Sequence, residues 1–215
     1  VPGLPRLYLI TDRALAPGGD VATALEAPLA AGVRLVQLRE KDLSARDLLA
    51  LARAVKARTD AAGARLLVND RADVALGVGA AGVHLTSADP PVAEVRAWLG
   101  PAALIGVSTH TVAEAVAAGR EGASFVTFGP VYDTPSKRGL GTPVGTDVLA
   151  EAVRAAGVPV FALGGVDVGA LDAVRDTGAY GVAVIRAVLA DPDPGAKTRA
   201  FLGPLGRWRE GAPSS

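Results

Sequence analysis

"RLLVNDRADVALGVGAAGVHL", residues 65 to 85, is the stretch whose reading decides the fold. It begins with the β-rich run Arg65 to Asn69, continues through 71 to 79 with Ala, Val and Leu at helical spacing, and returns to extended character at Gly82 to Leu85. Strand, helix and strand follow one another with almost no connecting residues. Val and Leu are nearly continuous in the strands. This marks strands buried on both faces, as in a parallel sheet covered by helices.

The same unit recurs on either side. Upstream lie "RLYLI" (6 to 10) with a helix around 20 to 31, then "RLVQL" (34 to 38) with a helix starting at Ser44. The "SARD" there is a capping box with Asp47 in place of the usual Glu. Downstream, "GVHL" (82 to 85) precedes helix 90 to 98, "LIGV" (104 to 107) helix 111 to 121, and "SFVTF" (124 to 128) helix 145 to 155. "PVFAL" (159 to 163) precedes helix 167 to 176, and "YGVAV" (180 to 184) precedes helices 186 to 190 and 194 to 202. About eight units of roughly 25 residues favour a (β/α)8 TIM barrel over an open doubly wound sheet. Periodicity alone leaves closure open.

The chain has 215 residues, half of them hydrophobic, enough for one large domain or two small ones. Nothing in its composition splits it, so one barrel domain is expected. Only "GRWREGAPSS", from about 207, reads as a loose tail, with Trp208 pinning its start. Lys plus Arg total 22, as do Asp plus Glu, so no net field draws the protein to nucleic acid or an anionic membrane. The absence of cysteine excludes disulfides, thiolate metal sites and a cysteine nucleophile, and suits a cytoplasmic protein. No uncharged apolar run reaches the roughly 18 residues of a spanning helix. Alanine-rich barrel helices leave room for a homodimer.

Barrels of this kind bind ligands at the C-terminal ends of their strands. Thr11, Asp12 and Arg13 follow the first strand, and Gln37, Arg39 and Lys41 alternate along the second, on one face of an extended segment. A barrel interior also holds such groups as a satisfied Arg and Glu network. Asn69 and Asp70 end the third strand and Asp89 follows the fourth. Two carboxylates with little nearby to neutralise them suit a hard cation such as Mg2+, although Asp70 also stands where a cap for helix 71 to 79 would be. His84 reads as a hydrogen-bonded core residue. His110, beside Ser108, could transfer a proton or supply a contact, with Thr111 as helix cap.

Gly164 and Gly165 after the seventh strand and "AVIRAV" after the eighth supply small residues and free amides for a phosphate, with Arg186 beside them as reinforcement or as a plain surface residue. In the sixth loop, "FGPVYDTPSKRGLG" (128 to 141) gathers Thr134, Ser136 and Lys137, which can hold a second anion. A phosphate cup on one side, with Arg39, Lys41, Lys137 and a carboxylate-held metal on the other, fits a diphosphate. The Gly, Pro and polar content of loops 12 to 20 and 130 to 142 fits lids that order around substrate.

"LYLITDR", "VQLREK", "LLVNDRADVAL", "GVHL", "GVSTHT", "FGPVYDTPSK", "ALGGV" and "GVAVIRAV" resemble the thiamine phosphate synthase family in order and spacing, from Leu7 to about Leu189. The resemblance implies a (β/α)8 barrel that joins 4-amino-2-methyl-5-hydroxymethylpyrimidine diphosphate to a thiazole phosphate, with magnesium, releasing pyrophosphate. It implies that Gln37, Arg39, Lys41 and Asn69 bind the pyrimidine diphosphate and that Asp70 and Asp89 hold Mg2+. Ser108, Thr134, Ser136 and Lys137 would contact the diphosphate or the thiazole phosphate, and Gly165, Ile185 and Arg186 would receive the latter. Lys137, Arg39, Ser108 and His110 are the candidates nearest the chemistry.

Two departures stand out: "TSAD" (86 to 89) where the family usually has Gly-Gln before its acid, and Arg186 where it often has Ser. Asp89 keeps the expected 19-residue offset from Asp70. A related branch, the thiazole tautomerases, tends to lose the second carboxylate and uses a histidine in the region of His110. A non-catalytic binder of thiazole phosphate is a further alternative. A sugar-phosphate epimerase would share the phosphate cup but has no use for Gln37, Arg39, Lys41 and Lys137.

Overall fold

In the computed structural model, which describes residues 3–134 and 142–208, eight parallel strands close into a barrel in chain order. They are β1 (Leu7–Ile10), β2 (Leu35–Leu38), β3 (Arg65–Asn69), β4 (Gly82–Leu85), β5 (Leu104–Thr109), β6 (Phe125–Phe128), β7 (Val160–Leu163) and β8 (Gly181–Val184). Closure is made by β1 against β8, with Leu7 beside Val182 and Leu9 beside Val184, which rules out the open sheet.

The helices are α1 (Val21–Ala24), α2 (Glu26–Ala31), α3 (Ala45–Ala61), α4 (Ala72–Val78), α5 (Val92–Leu99), α6 (Val112–Arg120), α7 (Gly145–Ala155), α8 (Leu171–Asp176), α9 (Arg186–Leu189) and α10 (Pro194–Leu205). The segment expected as one helix over 20 to 31 is two, joined at Leu25. Ser44 caps α3 by accepting from the Asp47 N–H, and its hydroxyl donates to the Asp47 carboxylate. Thr111 and Glu114 form the capping box of α6. Each such cap satisfies an otherwise unpaired helix N–H and contributes about 1 kcal/mol.

Alternate strand residues face two cores. Leu9, Val36, Val68, Val83, Ile105, Val126, Ala162 and Val182 point outward into the layer shared with the helices. Tyr8, Leu35, Leu67, Leu104, Phe125, Phe161 and Ala183 fill the barrel. Above that apolar filling the inward positions turn polar: Gln37, Asn69, His84 and Thr127 are all buried. This polar layer underlies the mouth. At the far end of the chain Trp208 is buried at 7% exposure against the helical layer, as expected of it. No helix among the described residues is long and apolar enough to cross a membrane.

Candidate active site at the mouth of the barrel

Those expected site residues that the structure describes fall around the C-terminal rim, but not all as the linear sequence implied. β2 ends at Leu38, so the extended face containing Gln37 does not continue to Lys41. Arg39 lies in the loop beyond the strand and Lys41 in a turn. Gln37 is buried and donates through Nε2 to the Tyr8 hydroxyl at 2.8 Å. Arg39 and Lys41 border a cavity of about 450 Å3 with Asp12, Arg13 and Asp42. Its floor is Glu40, a residue sequence reading passed over. Glu40 is 7% exposed and accepts from Thr11 Oγ1 at 2.6 Å and from the Arg13 N–H at 3.0 Å. Burial raises its carboxyl above the ordinary range, and the two hydrogen bonds oppose that rise. Thr11 in turn accepts from the Arg39 N–H, so Glu40 and Thr11 stitch the first two loops together. Arg13 is engaged with Asp42 at the surface.

Asp70 is the one described non-glycine residue with a left-handed backbone, at φ 53°. That conformation costs about 1 kcal/mol or more for an L residue and concentrates at functional sites. The reading of Asp70 as a helix cap is corrected here: Arg71 occupies the N-cap position of α4 and no side chain caps it. Asp70 instead accepts from Asn69 Nδ2 at 2.8 Å through Oδ2. Burial, then the charge of Asp89, raises the Asp70 carboxyl, while Asn69, Lys41 and Arg71 pull it back. The two carboxylates and Lys41 therefore share one electrostatic neighbourhood. Asp89 is held through Oδ2 by Thr86, whose N–H donates at 2.6 Å and whose hydroxyl donates at 2.8 Å. The departure "TSAD" thus supplies the group that positions its acid.

Asp89 and Ser108 border a common cavity of about 290 Å3. Ser108 Oγ lies 3.0 Å from His84 Nε2. His84 is buried, as expected, and burial with the nearby Arg39 charge lowers its pKa to about 3. His110 is exposed on α6's side of the rim. Its Nδ1 lies 2.5 Å from the Gly129 carbonyl and its backbone N–H donates to Glu114.

The opposite arc is backbone. Thr134, Gly164, Gly165, Ile185 and Arg186 surround a cavity of about 230 Å3 between the ends of β7 and β8. Gly165 has φ +68°, and a Cβ there would sit 2.6 Å from the Asp133 carbonyl oxygen and 2.7 Å from Tyr132 Cβ. Glycine is required for both reasons. Arg186 is exposed at the cavity's edge. Ser136 and Lys137, the other anion-binding candidates of the sixth loop, lie outside the described residues.

Among the described residues no group of three or more His, Cys, Asp or Glu side chains gathers as a metal cage. Asp70 and Asp89 remain a pair. Among the described residues each is engaged through Oδ2 alone, and Oδ1 makes no hydrogen bond there. A pair of this kind fits a hard cation that completes its shell with water and substrate oxygens.

Comparison with known proteins accords with this geometry. The family model described as Thiamine monophosphate synthase matches residues 7–188. A putative thiamine-phosphate synthase of Geobacter sulfurreducens is 55% identical over 196 residues, covering 91% of this chain and 92% of the relative. The thiamine-phosphate synthase of Roseiflexus castenholzii is 45% identical over 195 residues, covering 91% and 86%. Among solved structures, thiamine phosphate pyrophosphorylase from Pyrococcus furiosus superposes with a TM-score of 0.85 at 30% identity, covering 94% of this chain and 95% of that one. With a closed eight-stranded barrel, polar groups at its mouth and a family match spanning all eight strands, the chain belongs to the thiamine monophosphate synthase family.

Proposed function

We propose that this protein is a magnesium-dependent thiamine-phosphate synthase that joins an aminopyrimidine diphosphate to a thiazole phosphate and releases pyrophosphate. The observation that carries the reading is the division of the mouth into two anion-compatible arcs, with a pair of carboxylates beside one of them. Arg39 and Lys41 form no side-chain hydrogen bond or ion pair among the described residues, so both cations are available to a diphosphate. Gly164, Gly165 and the amides around Ile185 offer a cup for a single phosphate, with Thr134 and Arg186 at its edge. Gln37 and Asn69 lie beneath, where the pyrimidine ring would be oriented.

Asp70 and Asp89 would hold the cation, and when bound it would neutralise the departing pyrophosphate. The residues of the chain do the rest. Arg39, Lys41 and Lys137 stabilise the charge that collects on the diphosphate as its C–O bond breaks and the electron pair leaves with pyrophosphate. The electron-rich aminopyrimidine carries the resulting methylene cation, and the lone pair of the thiazole nitrogen forms the new C–N bond. No side chain need form a covalent intermediate. The phosphate cup places that nitrogen in line, which converts an encounter between two substrates into a step within one complex.

The assay is direct: purified protein, both substrates, with and without EDTA, following thiamine phosphate by its fluorescent oxidation product. Product that disappears on chelation is expected. Binding of the thiazole phosphate without product under any metal concentration would sink the reading and turn attention to His110.

A further inference from the structure

Within the barrel, just under the mouth, polar side chains cross from β2 through β1 and β4 to β5. Gln37 Nε2 donates to Tyr8 Oη at 2.8 Å. Tyr8 Oη lies 3.2 Å from His84 Nδ1, and His84 Nε2 lies 3.0 Å from Ser108 Oγ and 3.4 Å from Thr127 Oγ1. All but Ser108 are buried, and Ser108 ends the series half-buried at the rim.

Counting hydrogens sets the direction of these bonds. An amide NH2 only donates, so the Tyr8 oxygen is the acceptor from Gln37, and the acceptor within reach of its single hydrogen among the described residues is His84 Nδ1. A ring nitrogen that accepts carries no hydrogen. His84 is wholly buried and its ring nitrogens face hydroxyls, with no carboxylate among those partners, so the neutral ring is the form its surroundings support. Its one ring hydrogen is therefore on Nε2 and is donated to Ser108 Oγ. From Gln37 to Ser108 every hydrogen points the same way. The Ser108 hydrogen is the last, and it cannot return to His84, whose Nε2 is already the donor.

The fold makes room for this arrangement. Gly106 of β5 pairs with His84 in register, and a Cβ at Gly106 would lie 2.5 Å from His84 Nδ1 and 2.5 Å from Phe125 Cζ. Any larger residue would displace the imidazole or the ring beside it.

We propose that Tyr8 and His84 are positioning residues that hold Ser108 as an outward-facing hydrogen-bond donor, aimed at a phosphate or diphosphate oxygen of the bound substrate. The inference rests on the proposed function, in which Ser108 meets such an oxygen. Phosphate oxygens at neutral pH are acceptors, so a serine whose hydroxyl were turned inward would face them with a lone pair. A donor fixed in advance costs no reorganisation when charge develops, and successive hydrogen bonds in a low-dielectric interior polarise one another.

The two histidines supply an internal control. His110 Nδ1 faces the Gly129 carbonyl, which only accepts, so His110 carries its hydrogen on Nδ1. His84 and His110 should therefore be opposite tautomers. Long-range 1H–15N correlations on the full chain with 15N-labelled histidine, assigned with His110→Asn, are expected to show His84 protonated at Nε2 alone, unchanged from neutral pH to about pH 5. Protonation of His84 at Nδ1 would overturn the proposal, and this holds even if the variants below do not fold.

The second test is a kinetic cycle with Ser108→Ala, Tyr8→Phe and the double variant in the synthase assay. Ser108→Ala is expected to lower kcat/KM about 10- to 100-fold, the effect of one lost hydrogen bond to a charged group. Tyr8→Phe is expected to lower it about 10-fold, and the double variant to be no slower than Ser108→Ala, because nothing remains to be oriented. If Ser108→Ala is impaired and the losses multiply, the proposal fails while the functional reading stands. Wild-type rates for Ser108→Ala would remove the contact itself, and the proposal with it.

Discussion

From β2 to β5 the mouth is lined by side chains, whereas between β7 and β8 it is lined by glycine backbone and the start of a short helix. The first arc carries charge: Asp70 feels Asp89 and Lys41 through space, and His84 feels Arg39. The second has shape instead. Gly165 approaches Asp133 and Tyr132 so closely that the cavity and the local packing are the same object. The contrast teaches that function and stability should separate on the first arc and move together on the second.

The largest effect should come from Asp89→Ala. Among the described residues Asp89 is bonded only to Thr86, three residues away, so its loss should leave the melting temperature nearly unchanged. Turnover should fall about 100- to 1,000-fold, as when one electrostatic stabiliser is removed, with a raised magnesium requirement. An unaltered magnesium titration would take Asp89 out of the metal site. Gly165→Ala sharpens the comparison from the other side. A Cβ at φ +68° against the Asp133 carbonyl should cost about 1–3 kcal/mol of stability and weaken thiazole phosphate binding in the same variant. A stable variant with poor binding, or the reverse, would break the equivalence of cavity and packing on this arc.

One member of the side-chain arc should behave like the backbone arc, because it is wholly buried. His84 has a folded pKa of about 3, below its unfolded value of 6.5. Above pH 6.5 both states are neutral there and its full contribution is present. As pH falls from 6.5 toward about 3, the unfolded chain takes up a proton that the barrel refuses, and stability drops by up to about 1.4 kcal/mol per pH unit. Denaturant midpoints measured from pH 7 to 4 should show this slope, and His84→Asn should flatten it. Asp70→Asn should give the smallest change in metal-free stability. The Asp70 carboxyl is raised in the fold, so its charge is a cost that appears as pH rises through the ordinary carboxylate range. Removing that charge should raise the metal-free melting temperature by about 1–2 °C, the effect being screened by solvent, while magnesium no longer stabilises the variant. A lowered melting temperature would mean that the Asn69 bond outweighs the repulsion from Asp89.

Much of this was legible along the chain, for local reasons. Ser44 and Thr111 cap helices through residues three positions away, and the strands announce themselves by continuous Val and Leu. Asp70 and Asp89 were readable as rim residues because each lies in the loop just after a strand-like segment, and consecutive strands of such a barrel are neighbours. Tyr8, by contrast, looks like one more core residue in "RLYLI". Its bond to His84 spans 76 positions and its bond from Gln37 spans 29. Glu40 was hidden between two cations that drew attention as ligands, and its role emerges only because Thr11 and the Arg13 N–H reach it across the rim. Lys41 was misplaced for a related reason: alternation holds only while the strand lasts, and β2 ends at Leu38.

What the amino-acid sequence determined by itself is therefore the set of elements, their order and the chemical character of the rim. Apolar periodicity and capping act within a few residues and need no partner from elsewhere. Closure of β1 on β8, the pairing of carboxylates from separate loops and the meeting of Tyr8 with His84 were decided by tertiary structure alone. Each depends on groups distant in sequence meeting at fixed distances. Burial then gives those meetings their force, shifting His84 and Asp70 away from their ordinary ionisation.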